Sequence, residues 1–285
     1  MPPSGQRRRN SLTNSSSPPR TVALGLEYDG AAFHGFQRQV GIPTVQETLE
    51  RALSGVADTP VRVAVAGRTD AGVHATGQVV SFRTTAVRSE DSWRRGTNAL
   101  MRGAGGIGAG AVGVVWARQV ERSFHARFSA LSRRYAYVYL EADTEPVLLR
   151  GRVTWAREEL DAGVMHRAAQ HLLGERDFSA FRAAACDSNT PFRRVDAVSV
   201  ARHGRQVVFD IEANAFLQHM VRNVAGCLAH IGRGEAEAGL VADLLAAGDR
   251  TLAPPTAPPD GLYLTRVTYP DFDVPNRPPP TLLGK

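Results

Sequence analysis

The sequence predicts an α+β protein built from two ferredoxin-like halves, each β-α-β-β-α-β, whose strands form a mixed central sheet with an active-site cleft. Three observations predict this. Apolar residues alternate between period two and helical spacing in the order strand, helix, strand, strand, helix, strand, and the order then repeats. The chain of 285 residues is 43% hydrophobic, enough for one large or two modest cores. The glycine-punctuated stretch Ala66-Gly67-Arg68-Thr69-Asp70-Ala71-Gly72-Val73-His74-Ala75 lies between two predicted strands, where a loop would open onto one sheet face.

Residues 1–20 carry Arg7, Arg8, Arg9 and Arg20, no acid, and many serines and prolines, which predicts a disordered basic tail. An organelle transit peptide shares that composition, but four prolines oppose its amphipathic helix, and a secretory signal would need an apolar core. The tail holds +4 of the net charge of +6, so the remaining 265 residues carry only +2. A basic balance alone would suggest a nucleic-acid partner, but the folded part is near neutral, so any such contact must come from clustered patches.

Residues 21–28 alternate as a strand. Thr44-Val45-Gln46-Glu47 reads as a capping box, with Thr44 as N-cap and Glu47 reaching back. Val45, Leu49, Ala52, Leu53 and Val56 then fall on one helical face. Residues 61–66 and 78–83 read as the strands around the glycine-rich motif, followed by a helix over 90–101 and a strand over 111–119. This first half spans 21–125.

The second half spans 126–270 and opens on a strand over 133–140, with Tyr135, Tyr137 and Tyr139 on one face. A helix over 160–173 follows, then a hairpin of strands 195–200 and 206–212 turning at His203-Gly204. Helices over 215–231 and 236–247 come next, the second ended by Gly248. A proline-rich loop over 253–260 leads into the last strand, 262–269, and residues 271–285 form a Pro-rich tail. No apolar run reaches the ~18 residues of a membrane span. Cys186 and Cys227 have neither CxxC nor metal-ligand spacing and read as reduced thiols of a cytoplasmic protein, the second one core.

Asp70 stands two residues after Arg68 between glycines. Alone, such an aspartate is most simply an Asx-turn. A nucleophile, by contrast, needs a carboxylate held in fixed geometry with a cation nearby. Tyr135 sits beside Arg133 and Arg134, the combination with which strand-based RNA readers stack bases and contact phosphates; the competing reading for Tyr137 and Tyr139 is a core face.

The string from Gly67 to Ala75, followed by Thr76-Gly77-Gln78-Val79, resembles the active-site signature of the tRNA pseudouridine synthase A family. The resemblance continues through Ala23–Gly30, Phe33–Gln39, Arg133-Arg134-Tyr135, Asn214–Asn223 and Gly261-Leu262-Tyr263-Leu264, and so covers residues 21–270. Phe36 stands where the family usually has tryptophan, and a glycine-rich run from 103 to 113 replaces a loop with asparagine and proline. The resemblance implies a cofactor-free and metal-free isomerase acting as a homodimer on uridines of the tRNA anticodon stem-loop, positions 38–40. It makes Asp70 the nucleophile and Tyr135 the base-stacking residue. It also implies that Arg222 pairs with Asp70, Arg68 fills or props the gap left in the RNA, and Leu262 is an apolar wall. Two other readings remain open on residues alone. A non-catalytic RNA-binding protein would use the tyrosine and arginines without needing Asp70, and an aspartyl phosphotransferase would want further carboxylates for magnesium.

Overall fold

The computed structural model describes residues 18–105, 108–270 and 272–282. In the first half, β1 (Arg20–Tyr28) is followed by α1 (Val45–Ala57), β2 (Ala64–Val65), β3 (His74–Thr84), α2 (Glu90–Gly103) and β4 (Val112–Val120). The second half runs β5 (Ser132–Glu141), β6 (Thr154–Ala156), α3 (Ala162–Ala169), β7 (Gly174–Asp177), β8 (Phe192–His203), β9 (Gln206–Ala213), α4 (Met220–Gly232), α5 (Leu240–Ala247) and β10 (Leu262–Thr268). The expected tail over 1–20 lies outside the described residues except for 18–20, of which Arg20 already opens β1.

The strands form one sheet in the order β4-β1-β3-β10-β5-β9-β8-β7, with β2 on β3 and β6 on β5. Each half places its first strand between its third and last, giving β4-β1-β3 with β2 in one and β10-β5-β9-β8 in the other. The mixed α+β architecture and the repeated ferredoxin-like order therefore match the sequence. The halves join where β10 runs parallel to β3, with Tyr263 opposite His74 and Leu264 opposite Ala75. The His74 and Tyr263 rings stack across that seam, 4.7 Å apart. Residues that immediately follow the Asp70 loop thus form the junction of the two halves.

β5 is buried on both faces. Tyr135, Tyr137 and Tyr139 face the main core, while Val138 and Leu140 pack with Val153 and Tyr263 in a second, smaller cluster. For Tyr137 and Tyr139 the core reading is the correct one. The Tyr137 hydroxyl donates to Pro258 O at 2.8 Å and the Tyr139 hydroxyl to Ala225 O at 2.7 Å, each satisfying a buried polar tip.

Four expectations are corrected. The strand expected over 61–66 narrows to Ala64–Val65, because α1 side chains take the backbone amides before it. Val61 N donates to Ser54 Oγ at 2.9 Å and Val63 N to the buried Glu50 carboxylate at 3.0 Å. The capping box forms by half: Thr44 Oγ1 accepts from Glu47 N, but the Glu47 carboxylate turns to Arg38 at 3.2 Å. Helix α4 begins at Met220 and not near residue 215, since His219 adopts φ 61° and ψ 0°, a left-handed conformation through which a right-handed helix cannot run. The helix expected over 160–173 is α3 plus a short 3₁₀ turn at Gln170–Leu172. Strands β6 and β7 were not anticipated, being three and four residues long and too short for a period to register. No helix among the described residues is long and apolar enough to cross a membrane.

Candidate active site

The loop between β2 and β3 is held from several sides. Ala66 N donates to Val79 O at 2.9 Å, Phe36 N to Thr69 O at 3.0 Å, and Gly72 N to Phe33 O at 3.3 Å. Gln78 Nε2 donates to Gly67 O at 2.8 Å, and the Tyr28 and Thr69 hydroxyls share a hydrogen bond of 2.8 Å. Asp70 O accepts from Val73 N at 3.2 Å, closing a turn that leaves the carboxylate outside it. Two glycines have distinct steric reasons. Gly72 has φ +80° and lies under Pro259, whereas Gly77 passes so close to Thr265 O that a Cβ would sit 2.0 Å from it. Gly67 has neither constraint; its missing Cβ leaves space facing the Tyr135 hydroxyl.

This loop forms one wall of a cleft of about 750 Å³, which Arg68, Asp70, Tyr135, Arg222 and Leu262 all line. Five residues scattered over the chain are thereby brought together. The lining carries five arginines against two carboxylates, so the cleft favours an anionic ligand. The Asp70 side chain is 31% exposed, accessible yet partly shielded. Its nearest basic side chain among the described contacts is His219, with Nε2 at 3.7 Å from Oδ2. The expected Arg222–Asp70 pair is not formed: Arg222 donates from Nε to Ala257 O at 2.8 Å, which ties it to the proline-rich loop. Arg68 is exposed and makes no hydrogen bond or ion pair among the described residues.

Tyr135 is buried except where it faces the cleft, and Phe216 meets its ring edge-on at 5.1 Å. Burial first, then the nearby Tyr28 and Asp70, pushes its phenol far above the ordinary tyrosine range, so it stays protonated at neutral pH. Leu262 begins β10 opposite Tyr137, two positions before Leu264 pairs with Tyr135. No three His, Cys, Asp or Glu side chains among the described residues are grouped as a metal site requires.

The sequence profile of the tRNA pseudouridine synthase family matches residues 26–129 and 168–270. The chain belongs to this family. The tRNA pseudouridine synthase A proteins of Salmonella paratyphi B and Salmonella newport are each 52% identical to it over 264 residues, covering 92% of this chain and 95% of theirs. A solved Cbf5–Nop10–Gar1 complex is a distant likeness, with a TM-score of 0.33 at 12% identity over 85% of this chain and 48% of that one. The protein is thus an isomerase that makes pseudouridine in tRNA. Arg68, Asp70, Arg222 and Leu262 fall inside the matched segments, while Tyr135 lies between them.

Two residues of the enzyme's cleft gain importance only from the structure. His219 precedes Arg222 by three positions on the same helical stripe, a spacing visible in the sequence, but its left-handed conformation and its approach to Asp70 were not. Arg133, half-buried at the cleft wall, spends its guanidinium on backbone carbonyls. Its guanidinium donates to Ala66 O at 2.7 Å, Arg127 O at 2.8 Å, Asn214 O at 3.0 Å and Ala130 O at 3.2 Å. Arg134 pairs with Asp210 at 2.8 Å.

Proposed function

We propose that the enzyme isomerises uridines at tRNA positions 38–40, in the anticodon stem-loop, with Asp70 as the covalent nucleophile. The observation that carries this reading is a partly exposed carboxylate in an arginine-lined cleft that Tyr135, Arg68, Arg222 and Leu262 share. The reaction breaks the bond from C1′ to N1 and forms one from C1′ to C5. The proton on C5 is lost and N1 gains one, so atoms and electrons balance without a cofactor. Asp70 attacks C1′ or the uracil ring, and either route needs its carboxylate ionised. The His219 imidazole lies 3.7 Å from that carboxylate, and Arg222 lines the same cleft.

The target nucleotide must leave the RNA stack to reach this cleft. Tyr135, kept neutral by burial, stacks against the extruded base, and Leu262 bounds the pocket as an apolar wall. Arg68, exposed and uncommitted, enters the gap in the RNA. The enzyme acts as a homodimer, with one tRNA touching both subunits, as the family resemblance implies, and in the cytoplasm, a reading that the free thiols of Cys186 and Cys227 support.

Incubation with an unmodified tRNA transcript in EDTA, followed by pseudouridine mapping, tests the proposal. Conversion confined to positions 38–40 is the expected result. Conversion elsewhere in the tRNA would overturn the stem-loop assignment, and activity abolished by EDTA would overturn the metal-free chemistry.

A further inference from the structure

The segment between β4 and β5 holds a phenylalanine in water. Phe128 is 77% exposed, and it lines the same cleft as Asp70. An isolated exposed apolar residue needs no explanation when its loop is loose, but this loop is fixed at nearly every step. His125 N donates to Ser129 Oγ at 3.0 Å and Ser129 N returns to His125 O at 2.9 Å. Ala126, fully buried, donates to Ser81 Oγ at 3.0 Å and accepts from the Tyr269 hydroxyl at 2.7 Å. Arg133 clamps the carbonyls of Arg127 and Ala130 from below. His125 Nδ1 accepts from Arg127 N at 3.2 Å, which orients the imidazole, and its ring lies 4.4 Å from that of Phe128 at 31°. The Arg127 guanidinium carbon stands 5.6 Å from the Phe128 centroid. The backbone therefore presents an aromatic ring, backed by an imidazole and flanked by a cation, with most of its surface open.

We infer that Phe128, supported by His125 and Arg127, is a stacking platform for an unpaired base of the RNA next to the target uridine. Three features select a nucleobase. The ring is planar and open, its neighbours are aromatic and cationic, and the cleft it borders is rich in arginine. Base stacking on such a ring tolerates any sequence, because every base has a π-face. The platform is separate from Tyr135: one holds the reacting base and the other a neighbour, fixing the RNA at two points. The inference rests on the reading that the cleft takes a nucleotide extruded from tRNA.

The test compares Phe128→Ala, Phe128→Leu and Phe128→Trp with the wild type, all expected to fold normally because the side chain is exposed. Steady-state KM and kcat are measured on a tRNA transcript. In parallel, 2-aminopurine is placed singly at each unpaired position flanking the mapped uridine, and its quenching on binding is read. Phe128→Ala should raise KM roughly tenfold, the scale of one lost base–aromatic stack, with kcat at saturation nearly unchanged. Quenching should fall at one flanking position only. Phe128→Trp should restore both readouts, and Phe128→Leu, which keeps apolar area without a π-face, should behave as Ala. Unchanged KM and quenching in Phe128→Ala, or full function in Phe128→Leu, would overturn the inference. So would a change confined to the oligomeric state in sedimentation, which would make Phe128 a protein contact. A wild-type enzyme that converts no uridine would overturn the underlying reading; one that does, with Phe128 indifferent, overturns this inference alone.

Discussion

Asp70→Asn abolishes pseudouridine formation while leaving the fold and the affinity for tRNA close to wild type. The carboxamide has the same shape but is a far weaker nucleophile, and the motif from Ala66 to Ala75 holds no second acid to replace it. A loss of at least about 10⁴-fold in turnover is expected, the scale seen when a covalent group is removed from an otherwise intact site. The turn that places residue 70 is closed by backbone groups, Asp70 O and Val73 N, so it survives the substitution. Activity is read as pseudouridine formed per enzyme, and binding by filter retention of labelled tRNA. Residual turnover within tenfold of wild type would remove Asp70 from its role.

Arg133→Met destabilises the protein and disables it together. The guanidinium bonds four carbonyls from three segments: the start of the Asp70 loop, the Phe128 loop and the end of β9. Burial lowers the pKa of Arg133, yet its planar fork of donors matches several acceptors at once, which methionine cannot replace and lysine replaces poorly. Carbonyls stripped of a donor cost ~1–3 kcal/mol each when water cannot reach them. Because the cleft admits water to some of them, a total of about 2–4 kcal/mol is expected. For a chain of this size that lowers Tm by roughly 4–12 °C. Arg133→Lys should recover part of the stability and less of the activity, since the loop needs its angle as well as its charge balance. An unchanged Tm with wild-type turnover in Arg133→Met would show that the clamp holds nothing of consequence.

What could be read from the sequence was local. The alternation in β1, β5 and β9 and the helical face of α1 each lie within one segment, and each element appears where its period places it. The Asp70 motif is a contiguous string, so its residues were identifiable without knowing what they touch. Features decided by distant partners were hidden. The shortening of β2 depends on Glu50 and Ser54 reaching over from α1. The late start of α4 depends on one backbone angle at His219, and no residue type announces it. Tyr135, Tyr137 and Tyr139 share one alternating pattern, and pattern alone does not separate a ring at the cleft from two rings in the core. The partners of Arg133 and Arg134 were hidden for a related reason. An arginine beside a tyrosine looks the same whether it meets phosphate or, as here, carbonyls and Asp210.

The measurement that bears most directly on the central claim is the structure of Asp70→Asn bound to a tRNA with an unmodified anticodon stem-loop. The target uridine should lie outside the RNA stack, with its base against Tyr135 and the Arg68 side chain in the space it left. Its C1′ or a uracil ring carbon should approach the residue-70 side chain to about 3–3.5 Å, the separation of a near-attack geometry. A tRNA bound with all its uridines stacked and the cleft empty would contradict the account. So would an extruded uridine whose reacting carbons lie more than about 6 Å from residue 70, beyond the reach of any direct attack.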